Sequence, residues 1–591
     1  MQLQSILLPQ QDICAEESLY FHREEGNVLF NGYFNLFYIE KRKKYTDLRT
    51  LSLHLNLQGY ESITLMHDRE AIGEQVLSPE EAESYDFSFP YEAYDTGVFW
   101  FSLKPAGAEQ NCHIDGFYEG DSETVRDINI AVDICTFRRE EYVLRNMKSL
   151  EAFLQQKQEA ADHLTVFLID NGQTLNQYDE ITGIAERSCG RITIIPNRNL
   201  GGAGGFTRGM QEAIRRRERE NLTHVLLMDD DAVFDPDLFV RLYGLLSTLK
   251  GAYRDITVGG ALLREDYPWI QQACGEWFGN FRAQNDHPMY DLRTFENCTA
   301  DFMCRDDEEH DIYSGWWCCC FSLNVVTEEN LPFPMFLHHD DVSYGLMNAG
   351  AGITFLNGIG VWHKGFETVF PGANRYYDMR NPLISAAIAE PGIPTWKVIL
   401  KVWGAMTVLL MEYRYAEAFL TYRGAMDFCK GPEWLGRIDG EKLHTKIRSF
   451  AAKHFAFEDY HDLDDKKYKE AKKTIEQAMR EWDFSRLTQV KPMMYGVKKE
   501  PWKLLTLNGW ILPGISEPLA LSVTDQATDA FRRKELVLYE PVHGKVHIAK
   551  RDRKLGLKFL RMYAELAGEF RRNYRNAVNA YHRAALEKGK E

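Results

Sequence analysis

What this chain lacks narrows its chemistry first. No apolar run reaches the ~20 residues that a membrane-spanning helix needs. The most apolar stretch, residues 396–411, carries Lys397 and Lys401 and reads as a buried or interfacial helix. The opening residues, MQLQSILLPQQDICAEE, show no basic stretch followed by a long apolar one, so they do not read as a signal peptide. Positive charge is in deficit: 69 Lys and Arg against 87 Asp and Glu give a formal net charge of -18. Such a surface repels phosphates at long range and excludes a general nucleic-acid partner, so any anionic ligand must be met locally. The 11 cysteines have no repeated spacing apart from the run Cys318, Cys319 and Cys320 in an apolar stretch. That pattern suits reduced, buried thiols better than a disulfide framework.

What is present is a chain of 591 residues, too long for one hydrophobic core and suited to about three units. Across residues 1–127, β-formers alternate with polar residues between Gly, Asn and Asp breaks, which predicts an antiparallel β-sandwich, a jelly roll. Across residues 128–382 apolar runs (INIAVDICTF, LTVFLIDNG, RITIIPN, HVLLMDDD) are separated by helical stretches. That order predicts an α/β domain with a mostly parallel sheet, whose ligands gather at the carboxyl ends of the strands. Residues 383–591 read as a helical region, with a less regular Pro- and Gly-containing passage at 491–547. Its last stretch, from about Lys550, interleaves Lys and Arg with Leu, Phe and Tyr, so it reads either as a membrane-surface helix or as a solvated face.

Three consecutive carboxylates, Asp229, Asp230 and Asp231, end the apolar strand in LTHVLLMDDD. Like charges side by side are costly without a cation, so the cluster suggests a hard-metal site, with Asp229 and Asp231 pointing the same way. Upstream, NRNLGGAGGF opens a helix on glycines, where backbone N–H groups can approach a pyrophosphate. The spacing is not G-x-G-x-x-G and disfavours a dinucleotide site. Arg138, Arg139, Asp170 and Asn171 stand at two other strand ends. Asp340 and Asp341 precede a helical pattern, as caps or as a base for an acceptor hydroxyl. His363 follows an apolar strand and offers a third metal ligand. Glu276, Trp277, Trp316 and Trp317 supply the carboxylate and aromatic faces that sugars favour, although adjacent Trp316 and Trp317 would point to opposite faces.

The order TFRRE, LIDNG, NLGGAGG, MDDD, CGEWF, GWWCC, HDDVSYGL, WHKGF resembles the family 2 inverting glycosyltransferases over roughly residues 128–382. Within them it resembles the polymerising galactofuranosyltransferases of mycobacterial galactan synthesis. The resemblance implies a GT-A-type nucleotide-sugar domain that transfers galactofuranose from UDP-galactofuranose to a glycan or lipid-linked glycan. It implies that Arg139, Asp170, Asn199, Gly201 and Gly202 hold the donor, with Asp230 toward its sugar. Asp229, Asp231 and His363 would bind Mn2+ or Mg2+, Asp341 would be the catalytic base, and Glu276, Trp316, Trp317 and Asp340 would line the acceptor site. Where the resembling enzymes carry Trp before the paired Asp, this chain has His339. The same fold with another nucleotide sugar, or a non-catalytic carbohydrate-binding role, are the alternatives. A cytoplasmic location follows, with peripheral attachment to the inner face of the membrane and a homo-oligomer left open.

Overall fold

The computed structural model describes residues 1–589 except 109–110, 157–158, 286–287, 301–309 and 492–494. The alternating N-terminal segment forms two antiparallel sheets. One has the order Gln2–Ser5, His113–Glu119, Leu51–Gln58, Glu83–Phe89; the other runs His22–Glu24, Asn27–Leu29, Val98–Pro105, Tyr60–His67, Glu70–Val76. Leu53, Leu55 and Leu57 of the first sheet and Phe99, Phe101 and Leu103 of the second meet in one core, so the two sheets form a sandwich. Period-two alternation produces this, because every second side chain of each strand faces the partner sheet.

Among the described residues the central sheet has nine strands. Ile192–Pro196, Leu164–Asp170, Ile130–Thr136 and His224–Asp229 lie side by side and parallel. Their apolar runs are buried on both faces: Leu226 and Met228 join the cluster containing the helices Glu140–Leu154 and Asp237–Thr248. Val225 and Leu227 join Phe206, Met210 and Ala213 of the helix Gly201–Glu220 on the opposite face. Each such side chain contributes ~1.5–3 kcal/mol of burial, which is why a near-continuous apolar run, rather than an alternating one, marks these strands.

The rest of the sheet corrects the expectation of a mostly parallel one. Cys318–Ser322 lies antiparallel between His224–Asp229 and Thr257–Arg264, and Ile270–Ala273 and Tyr290–Asp291 continue antiparallel. Only Ile353–His363, beside Thr257–Arg264, restores a parallel pair. The physical reason is chain order, since Cys318–Ser322 enters between two earlier strands instead of extending the βαβ winding. Its three cysteine thiols are all buried, and burial holds each above its ordinary pKa, Cys318 at about 12.

Beyond the sheet, helices that include Tyr377–Ala389, Thr395–Met411, Tyr415–Phe428, Gly440–His454 and Arg553–Glu569 pack together. The passage read as irregular contains strands: Leu519–Ser522, Glu535–Tyr539 and Lys545–Lys550 join Glu458–Asp459 in a four-stranded sheet. Among the described residues no helix is long and apolar enough to cross a membrane.

Candidate active site

Parallel register brings four strand ends to one edge. Thr136 pairs with Asp170, Asp170 with Pro196, and Cys135 with Asp229. At this edge opens a cleft of about 730 Å³, lined among others by Arg139, Asn171, Asn199, Gly201, Gly202, Asp229 and Asp230.

Asp229, Asp231 and His363 present their ligand atoms within 4.8 Å of one another. His363 ends the strand Ile353–His363, in register with Arg264. Its Nδ1 lies 2.7 Å from the Lys364 carbonyl oxygen and donates to it, while Nε2 lies 3.2 Å from Asp231 Oδ1, to which it donates as the imidazolium and beside which it would offer a lone pair to a cation once that proton leaves. Arg139 Nη1 stands 3.0 Å from Asp230 Oδ1 and 2.6 Å from Asp231 Oδ2. Burial, only partly offset by His363, pushes the Asp229 carboxyl up to about 7. His363 is raised despite its burial, because Asp231 and Asp229 favour the imidazolium. Two carboxylates and one oriented imidazole nitrogen form a donor set that fits a hard or borderline divalent cation.

The turn carrying these carboxylates is gripped from behind. Arg145 Nη2 donates to the carbonyls of Asp231 and Ala232 at 2.9 and 3.0 Å, and Asn146 Nδ2 to that of Asp230 at 2.9 Å. Neither residue stands out in the sequence. The available signal is their place in the helix that immediately follows a strand end.

Asp170 behaves differently from expectation. It is 1% exposed, its Oδ1 accepts from Gly172 N at 3.0 Å and its Oδ2 from Leu175 N at 2.9 Å. Both oxygens therefore shape the turn, and the neighbouring Asn171 lines the cleft instead. Asn199 Oδ1 accepts from Gly201 N at 3.1 Å and sets the start of the glycine-rich helix. Gly201 has φ +72°, and a Cβ there would lie 2.0 Å from the Phe336 carbonyl oxygen, whereas one on Gly202 would come no closer than 3.8 Å to Asp340 Oδ2. Gly201→Ala is therefore expected to cost about 3 kcal/mol through the left-handed backbone and the clash together. Gly202→Ala is expected to stay within ~1 kcal/mol, and the difference in thermal midpoint between the two variants checks this.

The segment that meets Gly201 is strained. Phe336, His338 and His339 all have left-handed φ, of 74°, 63° and 65°. What holds them is again a pair of residues the sequence did not flag: buried Arg380 donates to the Met335 carbonyl, and Asn381 Nδ2 to those of Leu337 and His338 at 2.6 and 2.8 Å. The strain of such a segment persists only where its surroundings over-determine it.

From this segment starts the helix Asp340–Met347. Burial raises Asp340 to about 7, with the neighbouring Asp341 adding to the effect, and raises Asp341 to about 6. Asp341 Oδ1 accepts from Val342 N at 2.7 Å. Glu276 belongs to a three-stranded sheet that sets it opposite Tyr313, whose hydroxyl donates to Glu276 Oε2 at 3.3 Å. Burial and then the charge of Asp341 push Glu276 up to about 7. Tyr313 was not singled out from the sequence, although it lies three residues before Trp316.

The tryptophans divide. Trp316 is 4% exposed, with its ring edge-on to Phe206 and near Tyr344, a core position with no open face for a sugar. Trp317 is half-buried and donates from Nε1 to the Gly260 carbonyl at 2.9 Å. The site thus unites a triad whose chemistry fits a cation, a glycine-lined cleft and a group of raised carboxyls, an arrangement able to serve metal-assisted group transfer.

Residues 128–374 match the model of the family described as glycosyltransferase like family 2. The chain is 26% identical over 445 residues to the galactofuranosyltransferase GlfT2 of Mycobacterium tuberculosis, covering 70% of this chain and 67% of that one. It is 26% identical over 442 residues to GlfT2 of Mycolicibacterium smegmatis, covering 70% and 66%. The match thus spans about two thirds of these relatives' length. Among solved structures, S. aureus TarS 1-349 is similar at 8% identity with a TM-score of 0.30, over 56% of this chain and 94% of that one, a likeness too slight to bear on fold or ligand. Residues 128–374 are accordingly a family 2 glycosyltransferase domain, and the chain that carries them is a glycosyltransferase resembling the mycobacterial galactofuranosyltransferases.

Proposed function

We propose that this enzyme transfers galactofuranose from UDP-galactofuranose to a hydroxyl of a glycan or lipid-linked glycan, with inversion and with help from Mn2+ or Mg2+. The observation that carries this is the Asp229, Asp231 and His363 triad beside the Gly201 helix start, with Asp341 following on the strained segment that touches the same helix. Asp341 takes the proton from the acceptor oxygen, that oxygen bonds to the anomeric carbon, and the bond from that carbon to the diphosphate oxygen breaks on the opposite face. Asp229, Asp231 and His363 would hold the cation, which would supply charge neutralisation for the leaving diphosphate. Asp230 faces the donor sugar, Asn199, Gly201 and Gly202 approach the diphosphate, and Arg139 orients the carboxylates around it. Asp340, Glu276 and Trp317 line the acceptor side. Asp170 acts through the turn it closes.

Residues 1–127, 128–382 and 383–591 are the domains of this reading. The strand order of the N-terminal sheets supports a jelly roll, and the central domain corresponds to a GT-A-type fold. Exposed Leu557 and Leu560 beside Lys554, Lys558 and Arg561 on the helix Arg553–Glu569 support peripheral attachment to a cytoplasmic membrane face.

A donor screen on simple galactoside acceptors with Mn2+ tests the substrate. Turnover of UDP-galactofuranose at least ~100-fold above other nucleotide sugars is expected. The alternative is the same fold using a different donor, and preference for UDP-glucose or UDP-galactopyranose would establish it; His339, in place of the Trp of the resembling enzymes, bears on the acceptor instead.

A further inference from the structure

We propose that the helix Gly440–His454, outside the family-matching segment, completes the donor site, with Arg448 binding the nucleotide's diphosphate. This rests on the nucleotide-sugar reading above and deepens it. The same cleft that holds Gly201, Gly202, Asp229 and Asp230 is lined by Glu441, His444, Thr445, Arg448 and Ala452. Those positions fall at i, i+3, i+4, i+7 and i+11, one stripe of a helix, so a whole face of this element is given to the cleft.

The helix is fixed there by packing. A Cβ on Gly440 would lie 2.7 Å from the Phe336 ring, and His444 stacks obliquely on that ring with centroids 5.0 Å apart. Its Nδ1 lies 3.3 Å from the Tyr377 hydroxyl. Burial and then the Arg448 charge hold His444 down at about 4, so it stays neutral.

Charge supplies the rest of the argument. A diphosphate entering beside Asp229 and Asp230 meets two carboxylates, and the cleft's Arg139 is already engaged by Asp230 and Asp231. Arg448 has no carboxylate partner among the described residues and no hydrogen bond, and its charge is open to the cleft. Guanidinium and phosphate match in geometry and pair in two-pronged fashion. Backbone N–H groups at the Gly201 helix start and Arg448 therefore bracket the diphosphate from two separate elements.

Calorimetric titration of the full chain with UDP and with uridine, in the presence of Mn2+, tests this. Arg448→Ala is expected to weaken UDP binding about 10- to 100-fold and leave uridine binding within about 3-fold, with Arg448→Lys intermediate for UDP. Unchanged UDP affinity in Arg448→Ala, or equal losses for UDP and uridine, would overturn the assignment while leaving the nucleotide-sugar reading in place. If the unsubstituted protein binds neither ligand, that underlying reading falls and the assignment with it.

Discussion

Asp341→Asn is expected to lower kcat about 1,000-fold while UDP binding stays within about 3-fold, because amide and carboxylate share a shape but only the carboxylate accepts the acceptor's proton. Asp341 is raised to about 6, chiefly by burial. The ionised form is the base, so kcat/KM of the unsubstituted enzyme should climb with pH through about 6 and then level, and the residual rate of the Asn variant should lack that limb. Folding shows the opposite sign. A carboxyl raised from ~3.9 in the unfolded chain to about 6 contributes stability that is complete below the lower value and lost as pH rises through the upper one. The Asn variant should therefore lose less thermal stability than its parent between pH 4 and pH 7. Full activity in Asp341→Asn would move the base to Asp340 or Glu276, both raised to about 7, and shift the limb upward by about one unit.

Removing divalent cations is the second large effect. Stabilising the departing diphosphate is worth several kcal/mol, so turnover should fall by at least ~100-fold in chelator and return with Mn2+ or Mg2+. Asp231→Asn should weaken metal binding more than Asp230→Asn, since Asp231 shares the triad with Asp229 and His363, 3.2 Å from the latter, and Asp230 lies outside it. Electron paramagnetic resonance of bound Mn2+ separates the two variants without reference to turnover. Protons compete with the metal for these groups. With Asp229 raised to about 7 and His363 also raised, metal affinity should grow with pH up to and beyond neutrality. Undiminished turnover in chelator would leave the cleft's arginines and the helix start to supply the counter-charge and sink the metal-dependent reading.

The parts of the molecule that the sequence made legible share a physical cause. The strands Ile130–Thr136, Leu164–Asp170 and His224–Asp229 are buried on both faces, so their apolar runs are nearly continuous, interrupted by Asp133 and Thr165, and end abruptly in polar residues where the sheet meets the cleft. Asp229, Asp231 and His363 were visible because they stand at or just beyond such endings, His363 at that of Ile353–His363. Short strands such as Ile270–Ala273 and Tyr290–Asp291 carry too few residues to show a period, and their partners are set by long-range contacts. That is why the antiparallel half of the sheet was missed. The grips of Arg145, Asn146, Arg380 and Asn381 were hidden for another reason. Each satisfies backbone carbonyls, and a sequence does not reveal which carbonyls a turn leaves open. Asp170 was placed at the correct edge, but its direction depended on the amides of Gly172 and Leu175. Trp316 was read as one of two candidates for a sugar face, and the turn before Cys318–Ser322 sends it into the core.

The strand Cys318–Ser322 has a practical meaning of its own. Its thiols are shielded and held in the unreactive protonated form, and Met228 lies directly across from Cys318, one residue before Asp229. Alkylating reagents can reach these sulfurs only when the sheet itself opens. The rate at which they are modified is therefore an internal clock for the breathing of the platform beneath the active site, readable by mass spectrometry without adding any label to the chemistry above it.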